Sequence, residues 1–424
     1  MKIKVKKESY DVVCNKIHFE HRSPLRPMGL LRKIIRLAAQ KDLRAVNFSF
    51  ESDKMDLLPS DEPCLILMNH SSFIDLEICA EIFKERPYNI VCTSDGFVGK
   101  EWLMRHIGCI PTQKFVPDPV LIKDMHYALT KLRTSVLMFP EASYSFDGTA
   151  TPLPESLGKC IRLLKVPVVL VNTEGAFHRD PLYNGLQLRN VNVSAKVTYL
   201  FSPEQIKELS VSEINRILAD AFSFDHFRWQ MENKIKITEP FRADHLNRVL
   251  YKCPHCGTEG KMLGKGITLT CQSCGVTYEL TEYGSLTCLN DVPGFQHIPD
   301  WYRWERESVR EELLNHTYSL ETKVKILMLV DMKQIYEVGT GILTHTEEGF
   351  RLTGCDGALN YEQKPKASYS LYADYFWYEL GDMICIGDQK KLFYCFPLDQ
   401  ADIAAKTRLA TEELYKICNG IVMS

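Results

Sequence analysis

The sequence predicts an α/β domain with a largely parallel sheet flanked by helices, followed by a small four-cysteine ribbon and a C-terminal mainly-β domain with a terminal helix. Three observations carry this. Short apolar strand patterns alternate with helical ones from Pro63 to about Ser202. Two Cys-x2-Cys pairs sit close together between residues 253 and 274. From residue 323 to 396 short strand patterns recur, and one helical stretch closes the chain.

Met28, Leu31, Ile34, Ile35 and Ala38 fall at helical spacing among Arg32, Lys33 and Arg36. This predicts a helix over 28–40 that either packs on the core or lies on anionic lipid. Residues 64–68 (CLILM) form a first strand, 72–85 a helix, and 88–92 (YNIVC) a second strand. A helix over 119–133, a strand over 135–139, a helix over 156–165 and a strand over 166–171 follow, and 191–201 alternates like a strand at a sheet edge. Ligands of such sheets sit beyond the carboxyl ends of the strands, and His70 and Glu141 fall there after two different strands. Residues 203–250 read as helical and polar, and 301–316 as a helix. Strands are expected at 323–330, 341–345, 350–353, 378–380, 383–386 and 391–396, then a helix over 401–418. The domains expected are 1–250, with a membrane-proximal N-terminal helix, then 251–290 and 300–424.

A net charge of −3, with no dense basic patch interleaved with aromatics, argues against a nucleic-acid partner. Fifteen cysteines, mostly isolated in apolar runs, read as a reducing compartment rather than a disulfide framework. No apolar run approaches the ~20 residues that span a bilayer, and no apolar stretch of a signal peptide follows the charged start.

An apolar strand ending at Met68 runs into Asn69-His70-Ser71-Ser72, with Asp75 five positions after His70. On one continuous helix that offset separates the side chains by roughly 140°. The pair meets only if His70 precedes the helix and Asp75 lies in its first turn, with Ser71 or Ser72 as N-cap. A neutral imidazole suits a general base, and a carboxylate on its other nitrogen fixes the tautomer. Taken alone, Ser72-x-x-Asp75 reads rather as a capping box beside an ordinary turn histidine.

The surrounding residues decide between these. Asn69-His70-x4-Asp75 after an apolar strand resembles block I of the lysophospholipid and glycerol-phosphate acyltransferase superfamily. Gly108-Cys-Ile-Pro-Thr-Gln-Lys114 looks like block II, Phe139-Pro-Glu-Ala-Ser143 is similar to block III, and Val166-Pro-Val-Val169 resembles block IV, all in order across roughly residues 60–200. The resemblance implies that His70 is the general base and Asp75 its orienting partner. It implies that Lys114 holds the phosphate of the acceptor, that Glu141 helps to position it, and that Ala142 and Ser143 line the site. It further implies acyl transfer from acyl-CoA or an acyl-carrier protein to a hydroxyl of a lysophosphatidate-like lysophospholipid, in phospholipid biosynthesis or remodelling, with no metal in the active site. Three departures touch the acceptor. Lys114 replaces the more usual arginine and offers a point charge rather than a fork, Ala142 replaces glycine, and Tyr144 stands where arginine often follows. Lys100, Arg105 and Lys159 are candidates to compensate.

Cys253-x2-Cys256-Gly257 and Cys271-x2-Cys274-Gly275, with fourteen residues between them, form two knuckles suited to a closed tetrahedral Zn²⁺ site of structural type. Glycine after each pair lets the turn fold back. Residues 300–424 carry no catalytic motif and are weakly similar to a pleckstrin-homology-like module. Their aromatic run 369–378 reads as a packed strand face or a recognition surface. The expectation for the whole is a cytoplasmic O-acyltransferase, peripheral on the inner membrane face, with a membrane lipid as acceptor. Two alternatives stand beside it: a non-catalytic lipid- or acyl-carrier-binding adaptor on the same scaffold, and an acyltransferase for another hydroxylated lipid.

Overall fold

The computed structural model describes residues 3–16, 20–399 and 402–421. A seven-stranded sheet runs in the order Ser49–Asp53, Ser194–Phe201, Val168–Glu174, Leu65–Met68, Ser135–Met138, Tyr88–Thr93, Cys109–Thr112. The last five are mutually parallel, and the first two are parallel to each other but antiparallel to the rest. Alternation sorts the central strand. Leu65 and Leu67 face helices Pro119–Tyr127 and Leu157–Leu164, whereas Ile66 and Met68 face helices Gly29–Ala45 and Asp75–Ile82. Both faces are covered, which is why these strands read as continuous apolar runs.

The parallel set places four carboxyl ends on one edge of the sheet. Asn69 and His70 follow one strand, Phe139 to Glu141 follow its neighbour, Thr173 and Glu174 end the neighbour on the other side, and Gln113 and Lys114 follow the edge strand. The expected edge strand at 191–201 is instead second from the edge. Ser49–Asp53, whose exposed residues carry little apolar signal, lies outside it. The helical reading of 203–250 holds for Pro203–Glu208, Val211–Ala221 and His226–Glu232. Beyond these the chain turns, with Lys234 and His245 at positive φ, so that Ile237, Ala243, Leu246 and Val249 are buried.

A four-stranded antiparallel sheet, Met262–Lys265 to Leu286–Cys288, carries the cysteine knuckles. The C-terminal unit is an antiparallel half-barrel in the order Leu359–Gln363, Gly349–Gly354, Ile335–Thr346, Leu320–Leu329, Leu392–Pro397, Met383–Gly387, Tyr372–Asp374. The N-terminal strand Val5–Lys7 adds to Ile335–Thr346 in parallel. Helices Ile298–Leu314 and Ile403–Asn419 pack together through Arg306 and Arg310 on Glu413. The strand expected at 378–380 is a short 3₁₀ turn, because Phe376, Tyr378 and Glu379 all take positive φ. The strand of that region is Tyr372–Asp374, and it lies against the seven-stranded-sheet domain: Tyr372 Oη and Trp377 Nε1 donate to Asp95 Oδ2 at 3.2 and 3.1 Å.

Candidate active site

His70 precedes its helix and Asp75 is the first residue within it. The imidazole Nδ1 lies 3.0 Å from Asp75 Oδ2, and the same oxygen accepts the backbone N–H groups of Ser71 and Ser72 at 2.8 and 3.1 Å. The carboxylate thus closes the turn and orients the ring together. No serine side chain caps the helix: the N-cap is Ile74. Ser72 Oγ instead donates to Asp180 as well as accepting from Ile74 N. With Nδ1–H directed at a carboxylate, Nε2 is left as the basic nitrogen, and it makes no hydrogen bond among the described residues. Burial pushes the His70 imidazolium below its usual range, Asp75 pulls it up, and the charge of Lys114 pushes it further down. The ring is therefore mostly neutral at neutral pH.

Two aromatic rings clamp the imidazole, Phe139 at 4.1 Å and Tyr144 at 4.0 Å between centroids. Tyr144 therefore occupies one face of the imidazole. Glu141 is fully buried and spans two segments. Its Oε2 accepts His70 N–H at 3.1 Å, and its Oε1 accepts Thr151 N–H and Oγ–H at 2.8 and 3.1 Å. Burial lifts its carboxyl to about 7 against these bonds and the nearby Arg408. Ala142 sits at φ 55°, the left-handed region that costs a residue with a Cβ about 1 kcal/mol. A glycine would adopt it freely. Ser143 Oγ turns onto the carbonyl of Tyr144 at 3.1 Å.

Lys114 reaches the same end of the sheet, but its ammonium lies 4.2 Å above the Tyr372 ring of the C-terminal unit. Burial lowers its pKa, and the carboxylates of Asp374 and Asp95 oppose that shift. Asp374 is itself lifted by burial to about 7, with Lys114 pulling it down. Arg105 is tied to the carbonyl of Ser23, away from this cluster. Sequence reasoning did not find Thr151, Asp180, Tyr372, Asp374 or Arg408, since no short motif links them to His70. Asn69, which block I includes, holds Thr173 N–H and donates to Ser71 Oγ, so it stitches the turn of His70 to the neighbouring strand.

The four ribbon thiols converge. Cys253 Sγ and Cys274 Sγ are 3.8 Å apart, Cys256 Sγ and Cys271 Sγ 3.7 Å, and all four lie within 4.8 Å of one another. A tetrahedral ZnS₄ centre with ~2.3 Å bonds has sulfur–sulfur edges of about 3.8 Å, so this donor set fits zinc. Gly257 and Gly275 close the knuckles at φ 72° and 79°.

The family model for acyltransferases matches residues 49–173, the span that holds His70, Asp75, Lys114 and Glu141. This segment, under a third of the chain, is similar to the acyltransferase family. Over 123 residues the chain is 28% identical to the chloroplastic 1-acyl-sn-glycerol-3-phosphate acyltransferase BAT2 of Brassica napus, a match covering 28% of this chain and 35% of that relative. The chain thus spans about a third of the length of that curated relative. The crystal structure of the 1-acyl-sn-glycerophosphate (LPA) acyltransferase PlsC from Thermotoga maritima is also similar, at 16% identity and a TM-score of 0.37, covering 45% of this chain and 76% of that one.

Proposed function

We propose that this acyltransferase moves a fatty acyl group from acyl-CoA or an acyl-carrier protein to a hydroxyl of a lysophosphatidate-like lipid, with His70 as general base. The observation that carries the reading is the 3.0 Å contact of His70 Nδ1 with Asp75, which leaves Nε2 without a partner among the described residues. The acceptor oxygen attacks the thioester carbonyl while its proton passes to Nε2. Asp75 stabilises the imidazolium that forms. Collapse of the tetrahedral intermediate breaks the C–S bond, and the leaving sulfur takes the proton from Nε2. Glu141 supports this by holding the His70 backbone and Thr151, and its ionised form is the one that accepts all three donors.

A peripheral position on a membrane, at its cytoplasmic face, fits the exposed apolar surface. Leu30, Ile34 and Leu37 project from helix Gly29–Ala45, Leu37 being 73% exposed, and Phe73, Leu76 and Trp102 are exposed nearby in sequence to the site elements. The Phe73 ring lies 5.6 Å from that of Tyr144, so an apolar surface reaches the residue stacked on the base. No helix among the described residues is long and apolar enough to cross a bilayer. Zn²⁺ in the four-cysteine site is structural in this reading, because four thiolates leave no open position.

One observation favours a second acceptor class, a neutral hydroxylated lipid. Lys114 is compensated by Asp95 and Asp374, which would repel a phosphate placed beside it. The test is an acyl-transfer screen of the purified chain with acyl-CoA and acyl-carrier-protein donors against lysophosphatidate and monoacylglycerol, read by mass spectrometry. Diacylated phosphatidate as the main product supports the proposal, and diacylglycerol as the main product supports the second class. Tight lipid binding without any product contradicts both and leaves the adaptor.

A further inference from the structure

A cavity of about 500 Å³ lies between the acyltransferase segment and the two C-terminal helices. This is within the ~300–1,000 Å³ typical of small-ligand sites. Its apolar lining comes from Leu153, Leu157, Leu218 and Phe222, and its cationic lining includes Arg306 and Arg408. One wall is the loop of residues 146–155, which follows strand Ser135–Met138. Thr151, which lines the cavity, holds Glu141 Oε1, and Arg408 Nη1 donates to the carbonyl of Tyr144 at 3.4 Å, while the Tyr144 ring stacks on His70.

Arg408 is 3% exposed. Its Nε is satisfied by Glu412 at 3.1 Å, whereas Nη2 has no hydrogen bond among the described residues. The carboxylates around it are already committed. Glu412 is shared with Arg306 and Ser370, Glu413 serves Arg306 and Arg310, and Asp147 is held by the amide and hydroxyl of Thr149. Glu155 completes the acidic residues of the lining. A buried guanidinium with an unused donor, on a residue that lines a cavity, suits an anionic oxygen. At Lys114 the face of the Tyr372 ring already covers the ammonium, and the charges of Asp374 and Asp95 oppose the effect of its burial.

We infer that this interdomain cavity is the acceptor subsite, in which Arg408 of the C-terminal helix engages the phosphate of a single-chain lysolipid while Leu153, Leu157, Leu218 and Phe222 receive its chain. The inference rests on the acyl-transfer reading above. It makes the C-terminal unit part of the specificity apparatus: a cation absent from the local motif at Tyr144 is supplied in space by a residue 264 positions later.

The test uses the full chain carrying His70→Ala, so that bound lipid is not turned over, and calorimetric titration with 1-oleoyl lysophosphatidate and with 1-oleoylglycerol. The parent chain is expected to prefer the phosphate-bearing lipid by about tenfold or more, the scale of one hydrogen bond to a charged group. Arg408→Gln removes that preference and leaves the neutral lipid within about twofold, Arg408→Lys restores part of it, and Leu153→Trp weakens both lipids. A preference that survives in Arg408→Gln overturns the assignment, as do affinities unchanged in Leu153→Trp. Should Arg408→Gln fail to fold, Arg303→Glu at the exposed side of the same lining is expected to weaken only the phosphate-bearing lipid, and equal affinities there overturn the assignment too. Failure of the acyl-transfer reading looks different: the wild-type chain forms no product although Arg408-dependent binding persists.

Discussion

The turn that carries His70 and the surroundings of Lys114 are assembled on different length scales. Seven consecutive residues build the first: Asp75 accepts two backbone N–H groups and orients the imidazole from within the same turn. The second joins Lys114 and Asp95 to Tyr372 and Asp374, more than 250 residues away, through a ring face and a hydrogen bond. Chemistry held by local geometry survives the attachment of new domains. A charge whose role depends on its neighbours can be reassigned by whichever domain packs over it. In this protein a C-terminal strand sets the Tyr372 ring against Lys114, and the C-terminal helix brings Arg408 to the carbonyl of Tyr144.

The largest effect is expected at the local end of this comparison. Asp75→Asn removes the acceptor for Nδ1–H and for two amides, and the initial rate of acyl transfer should fall by roughly 10²–10⁴. Next comes the metal. Cys271→Ser, or a strong chelator, should release one zinc per chain and destabilise the protein by several kcal/mol, the scale of structural zinc sites. Calorimetry should record a lower Tm. The effect should reach the site, because Glu259 beside the first knuckle pairs with Lys406, two residues before Arg408 on the same helix. Lys114→Gln should behave as the breaking of a buried charge cluster, costing about 3 kcal/mol in chemical denaturation, and leave the preference for a phosphate-bearing acceptor intact.

The pH profile sharpens the catalytic half. On the proposed mechanism the neutral form of His70 and the ionised form of Glu141 are the working ones, so activity should rise with pH. Burial places the His70 limb below about 6.5, while Glu141 titrates at about 7. The wild-type acid limb should therefore lie near 7 and belong to Glu141. Glu141→Gln should be slow throughout and lose that limb. The smallest effect is Ala142→Gly, which relieves a left-handed φ and should stabilise the chain by about 1 kcal/mol in denaturant unfolding.

Much of this was legible where the signal is local. The central strands read as apolar runs because both faces of the sheet are covered, and His70 had to precede the helix because five residues along a helix face apart. The ribbon was legible because thiolate spacing and knuckle glycines serve one geometry. Tyr372–Asp374 was not: the aromatic run 369–378 is dense enough for a longer strand, but the positive φ values at 376, 378 and 379 break it. Ser49–Asp53 was missed because an exposed edge strand shows no buried alternation. Arg408 carries no signal beside its neighbours on a helix, since its meaning comes from a loop 264 residues earlier.

The most direct test of the account is the acyl-transfer rate of His70→Ala beside that of wild type, with both chains shown to melt alike. The account predicts a loss of at least about a hundredfold in that variant, with lipid binding retained. A His70→Ala protein that acylates its acceptor at the wild-type rate would contradict it.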